Sequence, residues 1–234
     1  NIVELLRELA ALDIPWIRLL YTYPTSISQE LLELLSNTPN LVKYVDLPLQ
    51  HVAGNVLRRM GRPGDFTSNR RLIETIRTQV PGVTIRSSFI VGFPGETEED
   101  FGELVRFLQM MRLDHVGIFQ YSREEDSAAY DYPDQINPAI KELRYQEAMS
   151  LQRQISAERN QKLVGQQLQV LLDYPSEESD LVMIGRHRGQ APDVDGVVYV
   201  GRGNLQSGQM TTVLITEAHA YDLVGEEVET REFT

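Results

Sequence analysis

The sequence predicts an α/β protein: a partial parallel (β/α) barrel followed by a small antiparallel β-barrel. Three observations predict it. Apolar strand-like runs alternate with helical ones through the first part of the chain, with crossovers of roughly 20 to 30 residues, which implies right-handed parallel connections. After Gly165 the helical spacing gives way to short alternating runs separated by Gly and Asp turns. Between Val83 and Phe101 an apolar run breaks at Gly92-Phe93-Pro94-Gly95 and restarts as a helix at Thr97. Strand, Gly-rich turn and helix form the βα unit of a parallel sheet, and ligands of such sheets sit at the C-terminal strand ends.

The 234 residues, 41% hydrophobic, suffice for two cores, placed at residues 1–160 and 161–234. No run approaches the roughly 18 apolar residues of a membrane span, and no signal peptide is evident. A soluble, cytoplasmic protein with no membrane partner is expected. The chain has no cysteine, hence no disulfide and no thiolate ligand for a metal. A net charge of −12 argues against a broad nucleic-acid footprint.

In order, Ile2 to Leu12 reads as a helix and Trp16 to Tyr21 as a strand. Ser26 to Gln29 caps a helix carrying Leu31, Leu32, Leu34 and Leu35. Leu41 to Leu49 is the next strand, with Gln50 and His51 at its end. A helix with Val56, Leu57 and Met60 stops at Gly61-Arg62-Pro63-Gly64. Another starts at Thr67 or Ser68 and runs to Val80. The strand Val83 to Val91, a helix from Thr97 and the strand His115 to Ser122 follow. Arg123 to Gln135 reads as an exposed loop. Asn137-Pro138 starts a helix to about Leu163, its buried face marked by Ile140, Leu143, Ala148, Leu151 and Ile155. Gln167 to Leu172, Leu181 to Ile184, Val197 to Val200 and Met210 to Ile215 read as the strands of the second barrel.

The polar residues at predicted strand ends are Tyr21, Gln50, His51, Arg86, Ser88, Tyr121 and Ser122. Such groups are costly in a barrel unless they meet a ligand or each other. Arg86, inside an apolar strand, reads either as a clamp for a carboxylate or as the partner of an acid such as Asp46. His51, His115, His187 and His219 show no metal-ligand spacing, and no metal site is predicted. Neither a Walker loop nor a dinucleotide glycine fingerprint occurs.

Asp46-Leu47-Pro48-Leu49-Gln50-His51, Val56 to Gly64, Phe89 to Phe101 and Tyr121 to Glu125 together resemble the radical S-adenosylmethionine methylthiotransferases. Ala191-Pro192-Asp193-Val194-Asp195-Gly196 and Ala220-Tyr221-Asp222-Leu223 look like that family's TRAM domain, an OB-like barrel. Leu-Gln-His followed by Arg-Pro-Gly resembles the ribosomal-protein branch. That resemblance implies methylthiolation of the β-carbon of an aspartate in the twelfth small-subunit ribosomal protein. The transfer-RNA branch is the alternative on the same scaffold, and a non-catalytic RNA-binding module the alternative from another class.

The resemblance also implies S-adenosylmethionine and two 4Fe–4S clusters. With no cysteine the chain is expected to hold neither cluster, to lack turnover, and to be the C-terminal part of such an enzyme with about four of six barrel strands. It carries over Ser88, Ile90, Gly92 and Glu96 as adenosine-side residues and Arg86 toward the methionyl carboxylate or a neighbouring acid. Gln50 is carried over toward the cofactor or the sulfur, and Phe119 and Tyr121 beside the adenine. Tyr21 and His51 are substrate-side candidates. From Leu163 onward, twelve acidic side chains face only four basic ones, a net charge of −8. That balance favours a basic ribosomal protein as partner over transfer RNA.

Overall fold

The computed structural model describes residues 1–179, 181–201 and 205–228. The chain divides into two compact units, Asn1–Gln152 and Arg153–Thr234.

The first unit holds α1 (Ile2–Ala10), α2 (Gln29–Asn37), β1 (Tyr44–Asp46), α3 (Gly54–Arg59), α4 (Phe66–Gln79), β2 (Thr84–Val91), α5 (Glu98–Met111), β3 (His115–Gln120) and the start of α6 (Pro138–Gln161). The strands form a parallel sheet in chain order, with Asp46 beside Arg86 and Arg86 beside His115. Helix starts follow local chemistry. Thr97 caps α5, accepting from the Asp100 N–H, while Asp100 accepts from the Thr97 N–H. α4 begins one residue before the predicted start, because Asp65 and Ser68 form the capping pair.

Along β2 burial alternates strictly. Ile85, Ser87, Phe89 and Val91 are buried, whereas Thr84, Arg86, Ser88 and Ile90 are half-buried on the other face. Phe89 packs edge-on against Phe107 of α5, with ring centroids 6.2 Å apart.

Four expectations need correction. Trp16 to Tyr21 is not a regular strand: it makes one isolated parallel bridge, Ile17 to Leu41. The expected strand Leu41 to Leu49 shrinks to β1, because Pro48 has no N–H for the ladder. The Ser87 hydroxyl bridges that gap, donating to the Leu47 carbonyl (2.8 Å) and accepting from the Leu49 N–H (3.3 Å). On α6, Ile140 and Leu143 are exposed; the buried positions are Arg144, Ala148, Gln152, Ile155 and Ser156. Apolar periodicity misses this stripe because polar side chains fill it: Arg144 meets Glu96, and Gln152 donates to the Leu113 carbonyl. The segment Arg123 to Gln135 is also not wholly exposed, since Ala129 and Tyr132 pack against Ala53, Val56 and Phe93.

The second unit is a closed barrel of β4 (Gln167–Pro175), β5 (Val182–His187), β6 (Val198–Gly201), β7 (Met210–Ala218) and β8 (Leu223–Glu227), in the order β4-β5-β6-β8-β7. The sequence predicts four of these strands; the fifth, β8, starts at Leu223, the last residue of the Ala220-Tyr221-Asp222-Leu223 motif. The barrel is antiparallel except that β6 and β8 run parallel. Its interior is aliphatic: Val170, Leu172, Met183, Val198, Val200, Val213, Ile215 and Leu223. No helix among the described residues is long and apolar enough to cross a membrane.

Candidate functional site

The site lies at the C-terminal ends of β1 to β3. Strand alternation puts Arg86, Ser88 and Ile90 on one face, and register sets them beside His115, Gly117 and Phe119. This face is open: Phe119 is 55% exposed. Arg86 Nη1 lies 3.7 Å from Asp46 Oδ1, so the two charges face each other beyond hydrogen-bond range. Asp46 Oδ2 accepts from the Tyr21 N–H at 3.0 Å, while Oδ1, although buried, has no hydrogen-bond partner. The Ser88 hydroxyl has no partner among the described residues. The neighbouring Ser87 hydroxyl is fully used on the buried face.

Two non-glycine residues with positive φ mark the same end of the sheet: Tyr21 (φ 64°) and Gln50 (φ 68°). Such backbone is uncommon for side chains of this size and concentrates at functional sites. Gln50 bridges to β2, its N–H donating to the Ser88 carbonyl and its carbonyl accepting from the Ile90 N–H. Tyr21 is 83% exposed.

Glu96 and His51 lie elsewhere, beneath the Gly92–Gly95 turn, with side chains fully buried. Glu96 Oε2 accepts from the N–H groups of Gly92 (2.7 Å) and Phe93 (3.2 Å), and Oε1 accepts from Arg144 Nη1 (2.9 Å). Burial pushes the Glu96 carboxyl up to about 7, with Arg144 and the two backbone donors pulling it back. His51 Nδ1 accepts from the Ala53 N–H at 3.0 Å, which leaves the proton of the neutral ring on Nε2, 3.9 Å from Glu96 Oε2. Burial lowers His51 to about 4, so the ring is neutral near pH 7. Glu96 and His51 therefore set the turn and do not line the open face. The sequence showed a glutamate after a glycine turn; its partner Arg144, 48 positions on, carried no local signal.

Tyr121 packs edge-on against Phe93 with centroids 5.1 Å apart, and Lys141 Nζ lies 4.8 Å over its ring. Its buried hydroxyl has no partner. The Ser122 hydroxyl donates to exposed Glu124.

Beside the face lies a cavity of about 400 Å³ lined by Gln50, Ile90, Phe93, Arg59, Arg62 and Tyr132, among others. Sequence reading missed Arg59 and Arg62, which look like ordinary exposed charges at a helix end.

Residues 1–108 match the model of the radical SAM superfamily, and residues 164–228 that of the TRAM domain. The ribosomal protein uS12 methylthiotransferase RimO of Myxococcus xanthus (strain DK1622) is 45% identical over 226 residues, which is 97% of this chain and 48% of that protein. Its counterpart in Geobacter sulfurreducens is 44% identical over 227 residues, 97% of this chain and 51% of that protein. The chain belongs to the radical SAM methylthiotransferases. It spans about half the length of the curated relatives it matches. Coproporphyrinogen III oxidase (HemN) from Escherichia coli, a solved radical SAM enzyme, shares the fold at 16% identity with a TM-score of 0.52, over 80% of this chain and 48% of that one.

Membership of this family implies S-adenosylmethionine and iron–sulfur clusters. The chain does not fit a cluster. It has no cysteine, and no group of three His, Asp or Glu among the described residues is arranged to hold a metal. S-adenosylmethionine does fit: the open face offers a guanidinium, an unsatisfied buried carboxylate oxygen, a hydroxyl and an exposed aromatic ring. The TRAM motif residues serve the fold. Asp195 accepts from the Ala191 N–H and Asp222 from the Val197 N–H. Gly196 lies so close to the Tyr221 carbonyl that a Cβ would stand 1.9 Å from its oxygen.

Proposed function

We propose that this chain is the cofactor and substrate half of an enzyme that methylthiolates the β-carbon of an aspartate in ribosomal protein uS12. The observation that carries this reading is the open polar face of the parallel sheet, in a chain about 45% identical to proteins named as ribosomal protein uS12 methylthiotransferases. Arg86 takes the methionyl carboxylate, and Asp46 Oδ1 accepts from the amino group. Ser88, Ile90 and Gly92 lie along the adenosine, Phe119 and Tyr121 flank the adenine, and Gln50 reaches the cofactor or the sulfur. Tyr21 stands on the substrate side. Glu96 and His51 act indirectly, as positioning residues that keep the turn in shape. When bound, S-adenosylmethionine supplies the hydrogen-abstracting chemistry; the chain's own residues orient it and exclude water. The iron–sulfur ligands come from outside this chain, in a longer cytoplasmic enzyme.

The acidic second unit supports a basic ribosomal protein as partner, since an RNA-gripping barrel needs a positive groove. Arg186, one of its few cations, is already paired to Asp173 at 3.1 Å. Mass spectrometry of uS12 from cells lacking the full-length protein tests the reading. The expected result is loss of the methylthio group from the aspartate. Unmodified transfer RNA beside normally modified uS12 would reverse it.

A further inference from the structure

We propose that the cavity flanked by Arg59 and Arg62 is the subsite that reads the acceptor carboxylate, holding the aspartate side chain of the protein substrate beside the cofactor face. This rests on the protein-substrate reading above.

The local sequence builds the arginine pair. α3 ends in a Schellman turn: the Gly61 N–H donates to the Arg58 carbonyl and the Arg62 N–H to the Leu57 carbonyl, with Gly61 at φ 66°. That turn brings Arg62 back toward the cavity that Arg59 already lines. Each guanidinium rests on a tyrosine. Arg59 lies 5.5 Å from the Tyr132 centroid, and Arg62 lies 4.7 Å from the Tyr23 centroid while donating to its hydroxyl. Stacking holds the planar groups with N–H edges already set, which lowers the ordering cost of binding an anion. Room for Arg59 is built in as well. A Cβ at Gly95 would stand 2.7 Å from its guanidinium carbon.

Neither arginine is neutralised. Arg59 makes one side-chain hydrogen bond, to the Pro133 carbonyl at 3.4 Å; its buried Nε has none. No carboxylate pairs with Arg59 or Arg62 among the described residues. Two part-buried cations on a cavity wall, in a chain of net charge −12 with acids to spare, point to an anion supplied from outside. The other walls, Phe93 and Ile90, suit a methylene. Gln50 and Ile90 belong both to the cavity and to the C-terminal end of the sheet, next to Ser88. A carboxylate on the arginines therefore leaves the adjoining carbon near the cofactor face. Reading that carboxylate separates aspartate from asparagine.

The test uses the full chain and two synthetic peptides spanning the acceptor position of uS12, one with Asp and one with Asn, titrated by calorimetry. S-adenosylmethionine and a transfer RNA are titrated in parallel. The Asp peptide should bind about tenfold or more tighter than the Asn peptide, the effect of a charge-assisted hydrogen bond. R62Q, whose side chain donates to the Tyr23 hydroxyl, and R59Q/R62Q should remove that preference and leave S-adenosylmethionine affinity unchanged. Equal binding of the two peptides by the unmodified chain overturns the proposal. So does loss of S-adenosylmethionine affinity in R62Q with the Asp preference intact, which would give the cavity to the cofactor's own carboxylate. Absence of peptide binding at millimolar concentration also overturns it. Transfer-RNA binding in that case overturns the protein-substrate reading as well.

Discussion

The two units use polar side chains in opposite ways. In the first, β2 buries one face under helices and leaves Arg86, Ser88 and Ile90 on an open face, where Asp46 Oδ1 lacks a hydrogen bond. In the second, the barrel closes around aliphatic side chains, and one oxygen each of its motif carboxylates Asp195 and Asp222 accepts from a backbone N–H. A family motif is therefore not one kind of thing. Some of its residues stand on an open face, and others close the fold. Glu96 belongs to the closing kind although it sits in the first unit.

The sharpest way to break this comparison is to remove Glu96. Glu96→Ala takes from buried Arg144 its 2.9 Å partner, leaving the exposed Glu98 at 3.4 Å, and should cost about 3 kcal/mol in urea unfolding of the first unit. A loss below about 1 kcal/mol would place Glu96 among the ligand-facing residues. In the second unit, Gly196→Ala forces a Cβ onto the Tyr221 carbonyl and should destabilise the barrel by about 1–3 kcal/mol or more. A neutral result would show that this loop yields freely.

The buried pair also makes a pH prediction. Glu96 rises from 4.5 to about 7 on folding, so the folded state holds the extra proton and stability falls as pH rises between those values. His51 falls from 6.5 to about 4, so stability rises with pH from about 4 to 6.5. The two slopes oppose each other in the intact chain. Glu96→Gln should leave only the rising slope and His51→Gln only the falling one, read as unfolding midpoints from pH 4 to 7. Parallel profiles in both variants would refute the assignment. The smallest effect belongs to the second unit. The Arg186–Asp173 pair is part-exposed, so Asp173→Ala should cost no more than about 1 kcal/mol and less in high salt.

Much of the fold was legible in the sequence. The Gly92-Phe93-Pro94-Gly95 turn marks the end of β2 and puts Arg86 and Ser88 on that strand; that they share one face with Ile90 comes from the structure. The switch in period after Gly165 marked the second barrel. The misses share a cause: pairing over long sequence distance. Pro48 shortened β1, and the repair came from Ser87, about 40 positions away. The buried stripe of α6 is polar because Arg144 reaches back to Glu96. The fifth barrel strand, β8, is a different case: it turns back from β7 at His219–Asp222, but Gly225, Glu226 and Glu227 give it weak strand character. Arg59 and Arg62 became visible as a pair only through the cavity they share.

Adjacent serines of β2 give the most direct test. Ser87 is buried and bonded to Leu47 and Leu49; Ser88 faces the open side. S-adenosylmethionine is titrated calorimetrically into the unmodified chain, Ser87→Ala and Ser88→Leu, with unfolding measured on each. Ser88→Leu should lose about tenfold or more in affinity with stability within about 0.5 kcal/mol. Ser87→Ala should keep the affinity and lose about 1–3 kcal/mol, because it strands two buried backbone groups. If Ser88→Leu binds S-adenosylmethionine as well as the unmodified chain, the open face is not the cofactor wall.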